Sequence, residues 1–163
     1  MPARRRFDGM TGARTLIGPV PASATFALRQ SVLRPHQSVA KMRLAGDEDP
    51  ATVHLGAVDG TGEVVATVRL QPATCPWFPL RADAWQLRGM ATAAHVRGRG
   101  IGAELIDNAV RHVCERGGGL LWCNARVTAE AFYVRNGFMA TDRRWDEPVI
   151  GPHVGMVREV AAA

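Results

Sequence analysis

Arg97-Gly98-Arg99-Gly100-Ile101-Gly102 is the stretch on which the reading of this chain turns. It separates two segments of different period. Upstream, Trp85 to about Thr92 reads as a strand. Downstream, Gly100 to about Arg116 places Ile101, Leu105, Ile106, Ala109, Val110 and Val113 at helical spacing. Gly117-Gly118-Gly119 then ends the run, as glycine does at helix C-termini. A glycine turn that opens a helix lets bare N–H groups approach an anion. The helix N-terminus adds about half a positive charge, and Arg97 and Arg99 add attraction. A pyrophosphate requires this combination.

Other readings of the six residues exist. A glycine-rich turn with no ligand fits them too. A P-loop needs Gly-Lys-Ser/Thr, and the only lysine in the chain is Lys41. Gly98-x-Gly100-x-x-Ala103 fits the looser dinucleotide fingerprint. Only 60 residues follow Ala103, however, and the next strand ends Cys123-Asn124-Ala125 without the carboxylate that would hold a ribose.

Working outward, Thr15-Leu16-Ile17 opens a short strand closed by Gly18-Pro19 and Pro21. Ser23 is an expected N-cap for a helix to about Arg34, stopped by Pro35. Gly46-Asp47-Glu48-Asp49-Pro50 reads as a solvated loop. Val53 to Val58 and Glu63 to Leu70 flank the hairpin turn Asp59-Gly60-Thr61-Gly62. Pro72, Pro76 and Pro79 mark a loop. Leu120-Leu121-Trp122-Cys123 suits a strand buried on both faces. Thr128 is an expected cap for a second helix through Arg135, and Asn136-Gly137 turns the chain. Phe138 to Arg144 and His153 to Val160 pair as a last hairpin. The order is strand, helix, hairpin, strand, helix, strand, helix, two strands, a mixed α/β domain.

A chain of 163 residues fits one domain. Residues 1–13 show no useful period and are expected to form a disordered basic tail, leaving 14–163 as the domain. The formal charge is +5, of which residues 1–14 carry +3, so the basic balance is partly a property of the tail. Nucleic acid is therefore not the expected partner. No apolar run approaches the ~20 residues of a membrane span, and no signal-type stretch follows the N-terminal arginines. A cytoplasmic protein with no membrane partner is expected. Cys75, Cys114 and Cys123 have no metal-ligand spacing, so no metal is expected.

Two motifs carry a family resemblance. Leu87-Arg88-Gly89-Met90-Ala91-Thr92 followed by Val96-Arg97-Gly98-Arg99-Gly100-Ile101-Gly102 resembles the central strand and pyrophosphate loop of the GNAT superfamily of N-acetyltransferases. Their signature is Arg/Gln-x-x-Gly-x-Gly/Ala. About 30 residues on, Ala131-Phe132-Tyr133-Val134-Arg135-Asn136-Gly137-Phe138 resembles the family's Phe-Tyr helix and Gly-Phe strand. The resemblance covers roughly residues 15 to 160. It implies the acyl-CoA N-acyltransferase fold: a single mixed, mostly antiparallel sheet, splayed at its central strands and flanked by helices.

The resemblance also implies roles. Acetyl-CoA would be the acetyl donor and an amine the acceptor. Pantetheine would lie against strand backbone around Met90, Ala91 and Thr92, where a main-chain N–H would polarise the thioester carbonyl. The pyrophosphate would sit on N–H groups from Arg97, Gly98, Arg99, Gly100, Ile101 and Gly102 to Ala103. Tyr133, the only tyrosine, corresponds to the residue that protonates the departing thiolate. The family often has asparagine seven residues before that tyrosine. Here the position is Arg126, with Asn124 two residues earlier as a substitute contact to CoA.

No general base stands out among Glu130, Asp142, Asp146, Glu147, His95 and His153, and a water chain would also serve. The acceptor region is expected near Arg34–Met42, Trp77-Phe78 and Trp145–His153. Trp145-Asp146-Glu147 would suit a cationic amine, if it is more than an exposed loop. A non-catalytic acyl-CoA-binding or sensor protein on the same fold is the alternative. The C-terminal strands could support a homodimer.

Overall fold

The computed structural model describes residues 15–163. The basic tail expected over 1–13 lies outside them. Seven strands form one sheet: β1 (Leu16–Pro19), β2 (Val53–Val58), β3 (Val64–Pro72), β4 (Ala84–Thr92), β5 (Gly119–Arg126), β6 (Met139–Glu147) and β7 (Gly151–Val160). Their spatial order is β1-β2-β3-β4-β5-β7-β6. Only β4 and β5 run parallel; every other neighbouring pair is antiparallel. The helices are α1 (Phe26–Leu33), α2 (Ile101–Cys114) and α3 (Glu130–Arg135). None is long and apolar enough to cross a membrane.

The apolar stripe read from sequence is the buried face of α2. Leu105, Ile106, Ala109 and Val113 are fully covered, packed on β3 and β5. Burying each of the larger ones stabilises by about 1.5–3 kcal/mol. β5 is apolar on both faces because both are covered. Leu121, Cys123 and Ala125 join the main core, while Leu120 and Trp122 pack with Cys75 and Ala84 beneath the proline-rich loop.

Several local expectations need correcting. The first strand includes Gly18 and Pro19, because an edge strand tolerates a proline without a ladder donor. Ser23 does not cap α1; a 3-10 turn at Ala22–Thr25 leads into it, held by the Thr25 hydroxyl donating to the Ala22 carbonyl (2.7 Å). Thr128 is exposed within a second such turn, Val127–Ala129, and likewise makes no capping bond.

The larger correction is Asp47. Its surroundings in sequence are polar, yet it is 4% exposed. Arg29 of α1 donates to it at 3.2 Å and Arg69 of β3 at 2.8 Å. The Leu44 N–H adds a bond of 2.9 Å. His54 accepts from Arg29 at Nδ1 (3.0 Å) and donates from Nε2 to the Asp47 carbonyl (3.1 Å), which assigns the neutral Nε2–H tautomer. Asp47, through its carboxylate and its main-chain carbonyl, thus ties α1, the loop before β2, and strands β2 and β3.

Burial opposes the charge of Asp47, but the Leu44 N–H and the two arginines outweigh it and hold its carboxyl below the ordinary range. Burial, with Arg29 and Arg69 behind it, holds the His54 imidazole below its ordinary value despite the Asp47 carbonyl. Both folded values lie below the unfolded ones, so each contribution is complete above the unfolded pKa and is lost as pH falls. Stability should therefore decline from about pH 6.5 as unfolded His54 takes up a proton, and again below about pH 4 for Asp47. Asp47→Asn leaves two buried guanidiniums uncompensated and should cost about 3–5 kcal/mol. Urea unfolding across pH checks this: the variant should lose the lower step, and an unchanged midpoint would contradict the assignment.

Candidate functional site

The glycine stretch opens α2 as a left-handed turn. Gly98 and Gly100 have φ of 75° and 79°, and no atom lies within 4 Å of where a Cβ would stand on either. Such φ values are cheap only for glycine. Gly100 is the N-cap, and no side chain caps the helix. The first intrahelical donor is the Glu104 N–H, bonded to the Gly100 carbonyl at 3.1 Å. From Gly98 to Ala103, no backbone N–H has a hydrogen-bond partner among the described residues.

Arg97 differs from its neighbours. Its N–H is spent on the Ala94 carbonyl (3.3 Å), and its side chain turns back to the Thr92 carbonyl (3.1 Å). It therefore supplies no free main-chain donor. Ile101 is buried in the core, anchoring the turn, and a Cβ at Gly102 would stand 3.2 Å from the Phe132 ring. Close contact between α2 and α3 thus requires glycine at 102. Arg99 is exposed and Ala103 half-buried.

Beside this turn the sheet parts. β4 and β5 are paired only from Ala84–Leu120 to Gln86–Trp122. Beyond that, β4 stays with β3 and β5 with β7. The divergence coincides with a bulge. Arg69 of β3 faces Arg88, but Thr67 faces Ala91, so β4 carries one extra residue there. Gly89 takes it up at φ 62°. A Cβ on Gly89 would stand 3.3 Å from Nε of Arg29, a buried N–H with no partner among the described residues.

The parted strands open a cavity of about 540 Å³. Its walls include Arg88 to Met90 of β4, Cys123 to Arg126 of β5, the C-terminal end of α1, and the β6–β7 turn. Met90, Asn124 and Tyr133 all line it; Ala91 is buried and paired with Thr67, and Thr92 with Ala66. Tyr133 is 6% exposed, held edge-on between Phe132 (5.2 Å) and Phe138 (5.3 Å). Burial, and then the neighbouring Cys123, hold its phenol well above the ordinary range, so it is protonated at neutral pH.

Of the six candidate bases, only Glu147 and His153 line the cavity. Glu130 is engaged by Arg144 at 2.8 Å; that hydrogen bond lowers its carboxyl pKa. His153 bonds the Gly151 carbonyl through Nδ1 (2.8 Å), which leaves Nε2 as its acceptor, and stacks on Trp145 (5.8 Å). Of the regions expected to shape an acceptor site, Arg34–Met42 contributes Arg34, Gln37, Lys41 and Met42 to the cavity, and Trp145–His153 contributes Glu147, Ile150 and His153 but not Trp145 or Asp146. Trp77 and Phe78 do not line it, because Trp77 packs edge-on to Trp122 (5.6 Å) and covers Gly155. Sequence reasoning gave no role to Arg88 and treated Arg126 only as a departure; both line the cavity. For Arg88 the available signal was a charge in the middle of β4.

Residues 23–138 match the family described as the acetyltransferase (GNAT) family. A Bacillus subtilis (strain 168) protein named as an uncharacterized N-acetyltransferase, YitI, is 33% identical over 135 residues, covering 82% of this chain and 89% of that protein. The fold is similar to that of the Escherichia coli ribosomal-protein-S18-alanine N-acetyltransferase, with TM-score 0.72, 18% identity, and 92% and 96% of the two chains covered. It is also similar to Escherichia coli YhbS, solved in complex with CoA, with TM-score 0.69, 23% identity, and 95% and 86% covered.

Gly89→Ala tests the bulge. A left-handed φ costs a side-chain-bearing residue about 1–2 kcal/mol, and the added methyl meets Arg29. Gly18→Ala has neither a positive φ nor any atom within 4 Å of the new Cβ, and should move stability by no more than about 0.5 kcal/mol. Urea midpoints that fall equally for both would contradict the reading of Gly89.

Proposed function

The chain belongs to the acetyltransferase (GNAT) family, and on that premise we propose that it transfers acetyl from acetyl-CoA to a primary amine by direct attack. The observation that carries this is the run of unpartnered N–H groups at the head of α2, beside a cavity between parted strands. A diphosphate is the ligand chemistry such donors suit. The thioester, when bound, supplies an activated acetyl group and a thiolate leaving group.

The residues divide the work. Gly98, Arg99, Gly100, Ile101, Gly102 and Ala103 offer main-chain donors to the diphosphate, with the Arg99 guanidinium adding attraction. Arg97 braces the turn through Thr92 rather than donating from its backbone. The β4 edge at Met90, Ala91 and Thr92 and the Asn124 side chain bound the slot for pantetheine. A main-chain N–H of that edge stabilises charge growing on the acyl oxygen.

Tyr133 gives its proton to sulfur as the C–S bond breaks and the N–C bond forms. Its burial suits this role, since a phenol that stays protonated is an available acid. Glu147 and His153 are the cavity-lining groups that can take the proton lost by the amine.

Release of free thiol from acetyl-CoA in the presence of an amine panel tests the activity. Tyr133→Phe keeps the ring between Phe132 and Phe138. It should lower kcat about 100-fold while KM for acetyl-CoA stays within about twofold. An unchanged kcat would remove the acid role. Absence of calorimetric heat with acetyl-CoA would remove the donor.

A further inference from the structure

The cavity walls carry an imbalance of charge. Four cations line it without an ion-pair partner among the described residues: Arg34, Lys41, Arg88 and Arg126. They come from the end of α1, the 3-10 turn at Val39–Met42, β4 and β5. One carboxylate, Glu147, lines the same space. Arg29 also lines it but is already matched to Asp47, as is Arg69 behind it. The arginines that hold the fold together therefore have their counter-charge, and those that converge on the cavity lack one.

The guanidiniums stand close enough to oppose one another. Burial first, then Arg34 and Arg29, disfavour the charge of Arg88; burial and Arg34 do the same for Arg126. Arg126 is fixed in place by donating from Nη2 to the Leu33 carbonyl at 2.5 Å, across from β5 to the end of α1. Arg88 and Lys41 are exposed and Arg34 and Arg126 half-buried, so water screens part of their repulsion; an anion seated among them would turn it into attraction.

The donor does not supply that anion. Its diphosphate is assigned to the turn from Gly98 to Ala103, none of which lines the cavity. Thr92, the last strand residue before that turn, lies four residues beyond Arg88 in β4. The pantetheine arm is uncharged. The acceptor remains. Met90, which lines the same cavity, is two residues from Arg88, across the bulge at Gly89.

Resting on the function proposed above, we infer that the acceptor is a small amine carrying its own carboxylate or phosphate, held by Arg34, Arg88 and Arg126. Glu147 and His153 are then the groups left for the ammonium end. A cavity of about 540 Å³, shared with the acetylated thiol end, suits a ligand the size of an amino acid.

The experiment uses the full chain saturated with acetyl-CoA and follows thiol release. The probes are aspartate and glutamate (carboxylate arm), phosphoethanolamine and phosphoserine (phosphate arm), ethanolamine and spermidine (neutral and cationic controls), and a short peptide with a free N-terminus. Anionic small amines should exceed the controls in kcat/KM by at least about 10- to 100-fold, the worth of a charge-assisted bond. The better arm identifies the anion. Arg88→Gln and Arg126→Gln should each raise KM for that amine about 10-fold or more and leave calorimetric affinity for acetyl-CoA within about twofold.

Preference for spermidine, ethanolamine or the peptide overturns the inference while leaving acetyl transfer intact. A parallel loss of acetyl-CoA affinity in Arg88→Gln overturns it by assigning the cluster to the donor. Failure of the acetyl-CoA-bound protein both to turn over and to bind any anionic probe overturns it as well. Absence of acetyl-CoA binding by the unaltered protein instead removes the functional reading beneath it.

Discussion

Backbone hydrogen bonding is the constraint from which the site follows. A strand that leaves its neighbour must place its peptide groups elsewhere or leave them open. After Gln86, β4 leaves β5 and keeps only β3 on its other side. β5 likewise keeps only β7. The inner edges of both strands therefore border a cavity within the sheet instead of a ladder. Beyond the end of β4, α2 begins with its own unpaired donors, because no helix can satisfy its first turn internally. The protein thus concentrates open backbone groups in two adjoining places, and in both glycine makes the geometry accessible: Gly89 at the bulge, Gly98 and Gly100 at the turn.

Such open edges are stable only if the walls are rigid, and the buried Asp47 network provides that on one side. Arg29 sits at its centre. It reaches Asp47, His54 and the Met42 carbonyl (3.1 Å), and its Nε lies against Gly89. The same side chain therefore links α1 to the bulge in β4. On the other side, Phe132 packs on Gly102 and Tyr133 is clamped between two phenylalanines, which couples α3 to the head of α2.

Much of this was legible in the sequence. The 3.6-residue period of α2, the glycine run that ends it, the Asp59–Gly62 hairpin and the doubly apolar β5 each reflect a local rule, and local rules operate without tertiary context. The element order followed from them; the GNAT resemblance rested on the motifs Leu87–Gly102 and Ala131–Phe138. The missed features depend on residues far apart in the chain. Asp47 looks like part of an acidic loop until Arg29 and Arg69 arrive from α1 and β3. Ser23 and Thr128 are good caps by type, but 3-10 turns precede both helices. Arg88 shows in the sequence only as a charge in mid-strand, and that it shares a cavity with Arg126 emerges only once the strands part. Trp77, expected at the acceptor wall, instead packs on Trp122 and over Gly155.

The central claim is that the peptide N–H groups from Gly98 to Ala103 hold a diphosphate. Two-dimensional amide NMR of the labelled protein tests it most directly. With CoA, the resonances of these six residues should move downfield together, as they do when donors gain a charged acceptor; pantetheine, which lacks the diphosphate, should leave them in place. Shifts of equal size with pantetheine, or saturation with CoA that leaves these six unmoved, would contradict the account.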